Sequence, residues 1–196
     1  LQVLGKDILR FHAVYWPAFL MASELPLPKK LLVHGWITVG DQKMSKSLGN
    51  AVNPQDLANT YGVDEIRYYL MRKMAVTHDG QFSIADIEQS INADLANDLG
   101  NLLSRVTTLA EKNEYMIIQA PEKWSNHAHI LHQACQQMIQ ESLELIKEGL
   151  IHRALQQIAQ YVALCNAYFH KHEPWKLAKT DKQAFSETIA AMVYSL

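Results

Sequence analysis

Lys43-Met44-Ser45-Lys46-Ser47-Leu48-Gly49-Asn50 is the stretch of this chain whose residue types could do chemistry most directly. Two lysines three residues apart, with small and polar side chains between them and a glycine after them, suit a phosphate ligand. Each ammonium group can meet phosphate oxygens as a point charge, and the serine hydroxyls and loop amides add further donors. When a phosphate-bearing group departs, negative charge migrates onto it. Donors on a mobile loop that close on it mainly in the transition state raise the rate and not merely the affinity. Two lysines at this spacing, taken alone, more often decorate a solvated surface loop.

Two other constellations carry chemistry. Phe11, His12, Tyr15 and Trp16 are spaced so that a helix presents aromatic surface and an imidazole. A thioether packs well against ring edges, so such a wall suits a methionine side chain, although the same stripe is ordinary as core. Asp7, just after an expected strand, can accept ribose hydroxyls where open α/β sheets place their ligands, or cap the following helix, or do both. Asn97, Asn101 and Arg105 lie four apart and share one helix face. Their directional donors and acceptors fit the edges of bases splayed out of a single-stranded loop, with Trp175 in His172-Glu173-Pro174-Trp175 as a stacking ring. The bland reading of that face is solvated polar surface.

The elements that must position these groups follow from pattern. Residues 1–4 form an apolar run closed by Gly5 and read as a buried strand. Asp7 caps an expected helix to about residue 23, which Pro17 should kink or end. Residues 31–39 are strand-like, Gly40-Asp41 a turn, and residues 42–52 a loop. Asn53-Pro54 starts a helix, and Asp64 caps the next. A composition shift falls at residues 77–82, after which Ser83 with Asp86 resembles a capping box. Ile84, Ile87, Ile91, Leu95, Leu99, Leu102, Val106 and Leu109 then mark one apolar helical stripe. Further helices are expected over residues 125–147, 150–170 and 181–196, with Gly149 breaking the first from the second.

Composition bounds the rest. With 48% hydrophobic and 19% charged residues, the 196-residue chain has material for a real core. A formal net charge of −2 leaves polyanion binding to local patches. Cys135 and Cys165 stand thirty residues apart without a CxxC, which suits reduced thiols in a cytoplasmic protein. No apolar run approaches the roughly 18–20 residues that span a bilayer, and no signal-peptide layout is present. His127, His129 and His132 lack the spacing of a helical metal pair, so no metal site is expected. Both ends read as cut, in a strand and in a helix, so a piece of a longer polypeptide is expected.

The octapeptide at residues 43–50 resembles the KMSKS signature of class I aminoacyl-tRNA synthetases. The isoleucine, valine and leucine enzymes carry similar loops. Gly5-Lys6-Asp7-Ile8-Leu9-Arg10-Phe11-His12-Ala13-Val14-Tyr15-Trp16-Pro17-Ala18, together with His34-Gly35-Trp36-Ile37-Thr38-Val39, is similar instead to the methionyl-tRNA synthetases. Asn92-Ala93-Asp94-Leu95, Gly100-Asn101-Leu102-Leu103-Ser104-Arg105 and Glu173-Pro174-Trp175 look, more loosely, like that family's anticodon-reading segments.

The resemblance implies a mainly α chain: the end of a Rossmann-like α/β catalytic domain with the lysine loop and a stem-contact segment over residues 1–80, then a truncated helical anticodon-binding bundle over residues 81–196. It implies ATP-dependent activation of methionine, with Mg²⁺, and transfer to tRNA(Met). Lys46 and Lys43 would be catalytic, and Met44, Ser45, Ser47, Gly5, Asp7 and Ile37 would complete the ATP site. His12, Trp16 and Phe11 would hold methionine, and Asn97, Asn101, Arg105 and Trp175 the anticodon. The family's HIGH-type sequence and its connective peptide, often a zinc carrier, do not occur in these residues. The 196 residues alone are therefore expected to be inactive and to carry no zinc. A noncatalytic tRNA-binding module and a synthetase for another aliphatic amino acid are the competing readings.

Overall fold

Gln2–Gly5 (β1) pairs in parallel with Leu31–His34 (β2), in a register that sets Gly5 opposite His34. The computed structural model describes residues 1–115 and 117–196, without the side chain of Lys46. Between the two strands the chain winds through a 3₁₀ turn at Lys6–Ile8, a wide π-type segment at Phe11–Tyr15, and the helix α1 at Trp16–Ala22. The single expected helix over residues 7–23 is thus three differently wound pieces. Proline lacks an N–H and clashes with the carbonyl one turn back, so a widened turn immediately before Pro17 accommodates it. Asp7 makes no capping bond; Gly5 is the cap residue of the 3₁₀ turn, and the Asp7 carboxylate is engaged elsewhere.

The strand expected over residues 31–39 is also interrupted. Ile37–Val39 (β3) belongs to a second sheet, ordered β4-β3-β5, with Gln42–Lys43 (β4) antiparallel and Gly80–Gln81 (β5) parallel to it. Gly35 makes the break possible, because a Cβ there would strike the His78 carbonyl. Gly40 turns the β3–β4 hairpin with φ +59°. Helix α2, Pro54–Tyr61, starts as expected, with Asn53 accepting from the Gln55 N–H at 3.0 Å. Helix α3, Val63–Lys73, begins after Gly62, and Asp64 sits in its first turn and not at the cap. The wholly buried Tyr69 stands edge-on to Phe82, and its hydroxyl accepts the Ser83 N–H at 3.0 Å.

Residues 84–112 are helical throughout: α4 (Ile84–Ser90), a π-type stretch (Ile91–Gly100), and α5 (Asn101–Lys112). The expected apolar stripe is only partly buried. Ile87, Leu102 and Val106 are inside; Ile84, at the start of α4, is exposed, and so is Leu99, within the wider turns that shift the face the sequence period assumes. Then come α6 (Asn126–Glu148), α7 (Ile151–His172), α8 (Pro174–Thr180) and α9 (Lys182–Val193). The short α8 follows from Glu173, whose left-handed φ of +44° ends α7 and lets Pro174 open a new helix. Asp181 caps α9 through the Gln183 and Ala184 amides at 3.1 and 3.0 Å.

Two compact units result. Leu1–Glu88 and Leu145–Arg153 make the first, and Gln89–Glu144 and Ala154–Leu196 the second. The α6–α7 junction enters the first unit through contacts that no local pattern announces: Lys30 donates to the Lys147 carbonyl at 2.7 Å, and Gly149, at φ +86°, faces Leu32. The second unit is all helical, around Leu102, Val106, Leu131, Cys165, Phe169 and Ile189.

Candidate functional site

In the first unit, Lys43 leaves the end of β4 with its ammonium 3.0 Å from Asp7 Oδ2 and 4.7 Å from the centre of the Trp36 ring. Lys6 approaches the same ring, at 4.1 Å, while holding Asp79 at 2.7 Å. Asp79 Oδ1 also accepts the Trp36 amide at 2.8 Å. Two ammonium groups, two carboxylates and one indole are thus gathered beyond the carboxyl end of β1. The hydrogen bond from Lys43 is the main cause that holds the Asp7 carboxyl below its usual value, and Lys6 does the same for Asp79. A Cβ at Gly5 would lie 2.8 Å from Asp7 Oδ1, so a side chain there would displace the carboxylate from this position.

The rest of the loop is tied down locally. The Met44 N–H donates to the Ile37 carbonyl at 2.9 Å, which joins the loop to the backbone of β3. The Ser45 N–H donates to Asn50 Oδ1 at 2.8 Å, and the Ser45 and Ser47 hydroxyls bond each other at 2.7 Å. A 3₁₀ turn at Lys46–Leu48 follows, but the Lys46 side chain, the expected chief catalytic group, lies outside the described residues.

The aromatic stripe divides into two edge-to-face pairs. His12 pairs with Trp16 at 5.9 Å, both half-buried, and Phe11 pairs with Tyr15 at 5.6 Å. Phe11 is 59% exposed, so it shares no enclosed wall with His12. Because the Ile8 carbonyl can only accept, its 3.0 Å bond to His12 is donated by the Nδ1–H, which fixes the ring's orientation.

In the second unit, the Arg105 guanidinium lies 4.6 Å from the centre of the Phe169 ring and 5.9 Å from that of Trp175. Its Nη1 stands 3.4 Å from His170 Nε2. Trp175 is also in ring contact with Phe169, at 5.9 Å, and His170, at 6.1 Å. Ser104, Arg105, Thr108, Leu109, Phe169 and Trp175 line a groove of about 280 Å³. Asn101 and Asn97 are exposed and joined by a 3.4 Å side-chain bond. The fold brings Arg105 and Trp175 together, seventy positions apart, and adds two residues that pattern reading passes over. The left-handed turn at Glu173 folds Trp175 back onto both Phe169 and His170.

Other expectations are simply placed. The rings of His127 and His172 approach to 5.3 Å, and among the described residues no group of three or more His, Cys, Asp or Glu could hold a metal ion. Cys135 and Cys165 are free and buried. Among the described residues no helix is long and apolar enough to cross a membrane.

Comparison with known proteins gives a consistent picture. The profile of the tRNA synthetases class I (M) matches residues 1–107. The methionine–tRNA ligase of Rickettsia felis is 41% identical over 197 residues, covering 98% of this chain and 38% of that protein. The methionine–tRNA ligase of Brucella suis is 42% identical, covering 92% of this chain and 35% of that one. A solved Mycobacterium tuberculosis methionyl-tRNA synthetase in complex with methionyl-adenylate superposes with a TM-score of 0.91 at 36% identity, over 97% of this chain and 38% of that one. Its apo form gives 0.87 at 33% identity. The chain therefore spans less than half the length of the relatives it matches.

Proposed function

The chain belongs to the class I tRNA synthetases of the methionine type, and on that premise we propose that it supplies part of the ATP site, the methionine-binding helix and the anticodon-reading surface of a methionine–tRNA ligase. The observation that supports this reading best is the meeting of Lys43 with Asp7 and Trp36 beyond the end of β1. Residues 1–80 are assigned to the catalytic part, with its lysine loop and stem-contact segment, and residues 81–196 to the anticodon-binding bundle.

In this reading Asp7 accepts the ribose hydroxyls of ATP, with Gly5 giving close access and the Ile37 backbone meeting adenine. When the ribose takes Asp7, Lys43 is released toward the phosphates. Lys46 then neutralises charge as pyrophosphate departs; Met44 anchors the loop to β3 through its N–H, and the Ser45 and Ser47 hydroxyls, which bond each other here, can turn to the phosphate oxygens. Placing cations where charge develops in the transition state raises the rate of adenylate formation. Among the described residues no cluster of three or more His, Cys, Asp or Glu could hold a metal ion, and magnesium would arrive on the ATP phosphates. Methionine lies against His12 and Trp16, with Phe11 at its exposed margin. Asn97, Asn101, Arg105 and Trp175 meet the CAU anticodon of tRNA(Met). The site of action is the cytoplasm.

The test is methionine-dependent ATP–pyrophosphate exchange. A complete ligase containing these residues should perform it, and Lys43→Ala should reduce it with little change in the KM for methionine. Unchanged exchange by that variant would remove the ATP assignment. The 196 residues contain no HIGH-type sequence, and by themselves they should give no exchange. Activity from this stretch alone would overturn that part of the proposal.

A further inference from the structure

We infer that Asn50 is a positioning residue for adenylate formation, holding Lys43 and the Ser45 amide in place through both ends of its side-chain amide. Oδ1 accepts the Ser45 N–H at 2.8 Å and Nδ2 donates to the Lys43 carbonyl at 3.2 Å. The amide therefore closes the loop on itself across seven positions. On its other side the loop is fixed by the Met44 N–H to the Ile37 carbonyl at 2.9 Å. Residues 43–45 are thus gripped between β3 and Asn50, and the direction in which Lys43 leaves the backbone is set by that grip.

The local sequence is built for this arrangement. Gly49 adopts φ +69°, a left-handed conformation that costs glycine nothing, and it turns the chain so that Asn50 points back across the loop. Asn50 is half-buried although its neighbours Ser47, Leu48 and Gly49 are exposed. No other side chain supplies both bonds at this length. Aspartate keeps the acceptor for Ser45 and loses the donor to the Lys43 carbonyl; alanine loses both. Catalytic groups must be held to fractions of an ångström, and a misplacement of about 1 Å can cost on the order of 100-fold in rate. Asn50 touches no reacting atom; it acts by fixing the backbone of residues 43–45, and so the course of the Lys43 side chain.

The inference rests on the reading of this loop as the ATP-handling element, and the test separates the two. In a complete ligase, Asn50→Ala should lower kcat/KM for ATP in pyrophosphate exchange on the order of 10–100-fold. The KM for methionine and the transfer of methionine from preformed adenylate to tRNA should stay unchanged. Asn50→Asp should fall between Asn50→Ala and the parent. If Lys43→Ala is harmless, the ATP reading fails. If Lys43→Ala is damaging and Asn50→Ala is not, only the role of Asn50 falls. Loss of methionine affinity in Asn50→Ala would likewise overturn it, since a merely structural residue behaves in that way. A measurement without any variant stands beside these: the Ser45 amide should exchange slowly with solvent in the unmutated protein, and exchange at the rate of an open loop would sink the inference.

Discussion

Lys43 Nζ stands 3.0 Å from Asp7 Oδ2, joining the start of the lysine loop to a residue thirty-six positions earlier in the chain. Both side chains are well exposed, so water screens the pair and little folding energy depends on it. Its consequence is local, because each partner occupies the other until a ligand separates them. The hydrogen bond from Lys43 holds the Asp7 carboxyl below the ordinary aspartate value. A carboxyl depressed in the folded state favours folding above its unfolded value, and that contribution is lost as pH falls through the lowered value. Carboxyl carbon NMR should therefore find Asp7 titrating below 3.8, its ordinary value, and Lys43→Ala should return it upward. An Asp7 resonance indifferent to that substitution would contradict the pairing.

Gly149 gives a stability prediction inside the first unit. Its φ of +86° strains any side chain, and a Cβ would lie 2.6 Å from Leu32 Cδ1. Gly149→Ala should destabilise the protein by more than about 1 kcal/mol, read from the urea midpoint of the far-ultraviolet signal. Adding Leu32→Ala should relieve the clash while leaving the backbone strain. A double variant as stable as its Leu32→Ala parent would show that the strain is absent.

These two cases mark what the sequence carries and what it does not. Asn53, Ser83 and Asp181 act within three residues of themselves, and their capping bonds are legible from residue type and spacing. So are the long helices α6 and α7, whose period is regular over more than twenty residues. Asp7 and Asp64 look like caps but are not. The rival of Asp7, Lys43, is far away in sequence, and Gly62 already turns the chain before α3. The break at Gly35-Trp36 depends on the His78 backbone, again a distant partner. In the candidate sites, the residue types at 43–50 and at 97–105 are visible, but the grip of Asn50 and the clustering of Phe169 and His170 with Arg105 are tertiary facts.

The buried thiols give a third prediction. Cys165 is wholly buried in the helical core, and burial pushes its thiol up to about 11. Only the thiolate is a good nucleophile, so at pH 8 this group is both protonated and covered. Ellman's reagent should leave Cys165 unmodified in the native protein and label it once the chain is unfolded in guanidinium. Cys135, also buried, should behave in the same way. Rapid native labelling of Cys165, identified by peptide mass, would mean that the α7 face of the core opens freely.

The last prediction concerns Arg105 and Trp175, on the proposal that they meet an anticodon loop. Arg105 is held against Phe169 and Trp175, with His170 at its Nη1, so its planar fork has a fixed direction at the edge of the groove. A fixed fork suits a base edge, whereas a phosphate needs only a charge. Binding of an RNA hairpin bearing CAU should weaken by ~1–3 kcal/mol in Trp175→Ala through lost stacking. Arg105→Ala should cost a similar ~1–3 kcal/mol and relax discrimination against altered loop bases, with the salt dependence nearly unchanged. Arg105→Lys keeps the charge and loses the fork, so it should resemble Arg105→Ala. A uniform loss across loop sequences, with a shallower salt slope and rescue by lysine, would make Arg105 a phosphate contact instead. Phe169→Ala is unsuitable as a probe, since removing so deeply buried a ring costs ~3–5 kcal/mol of folding stability by itself.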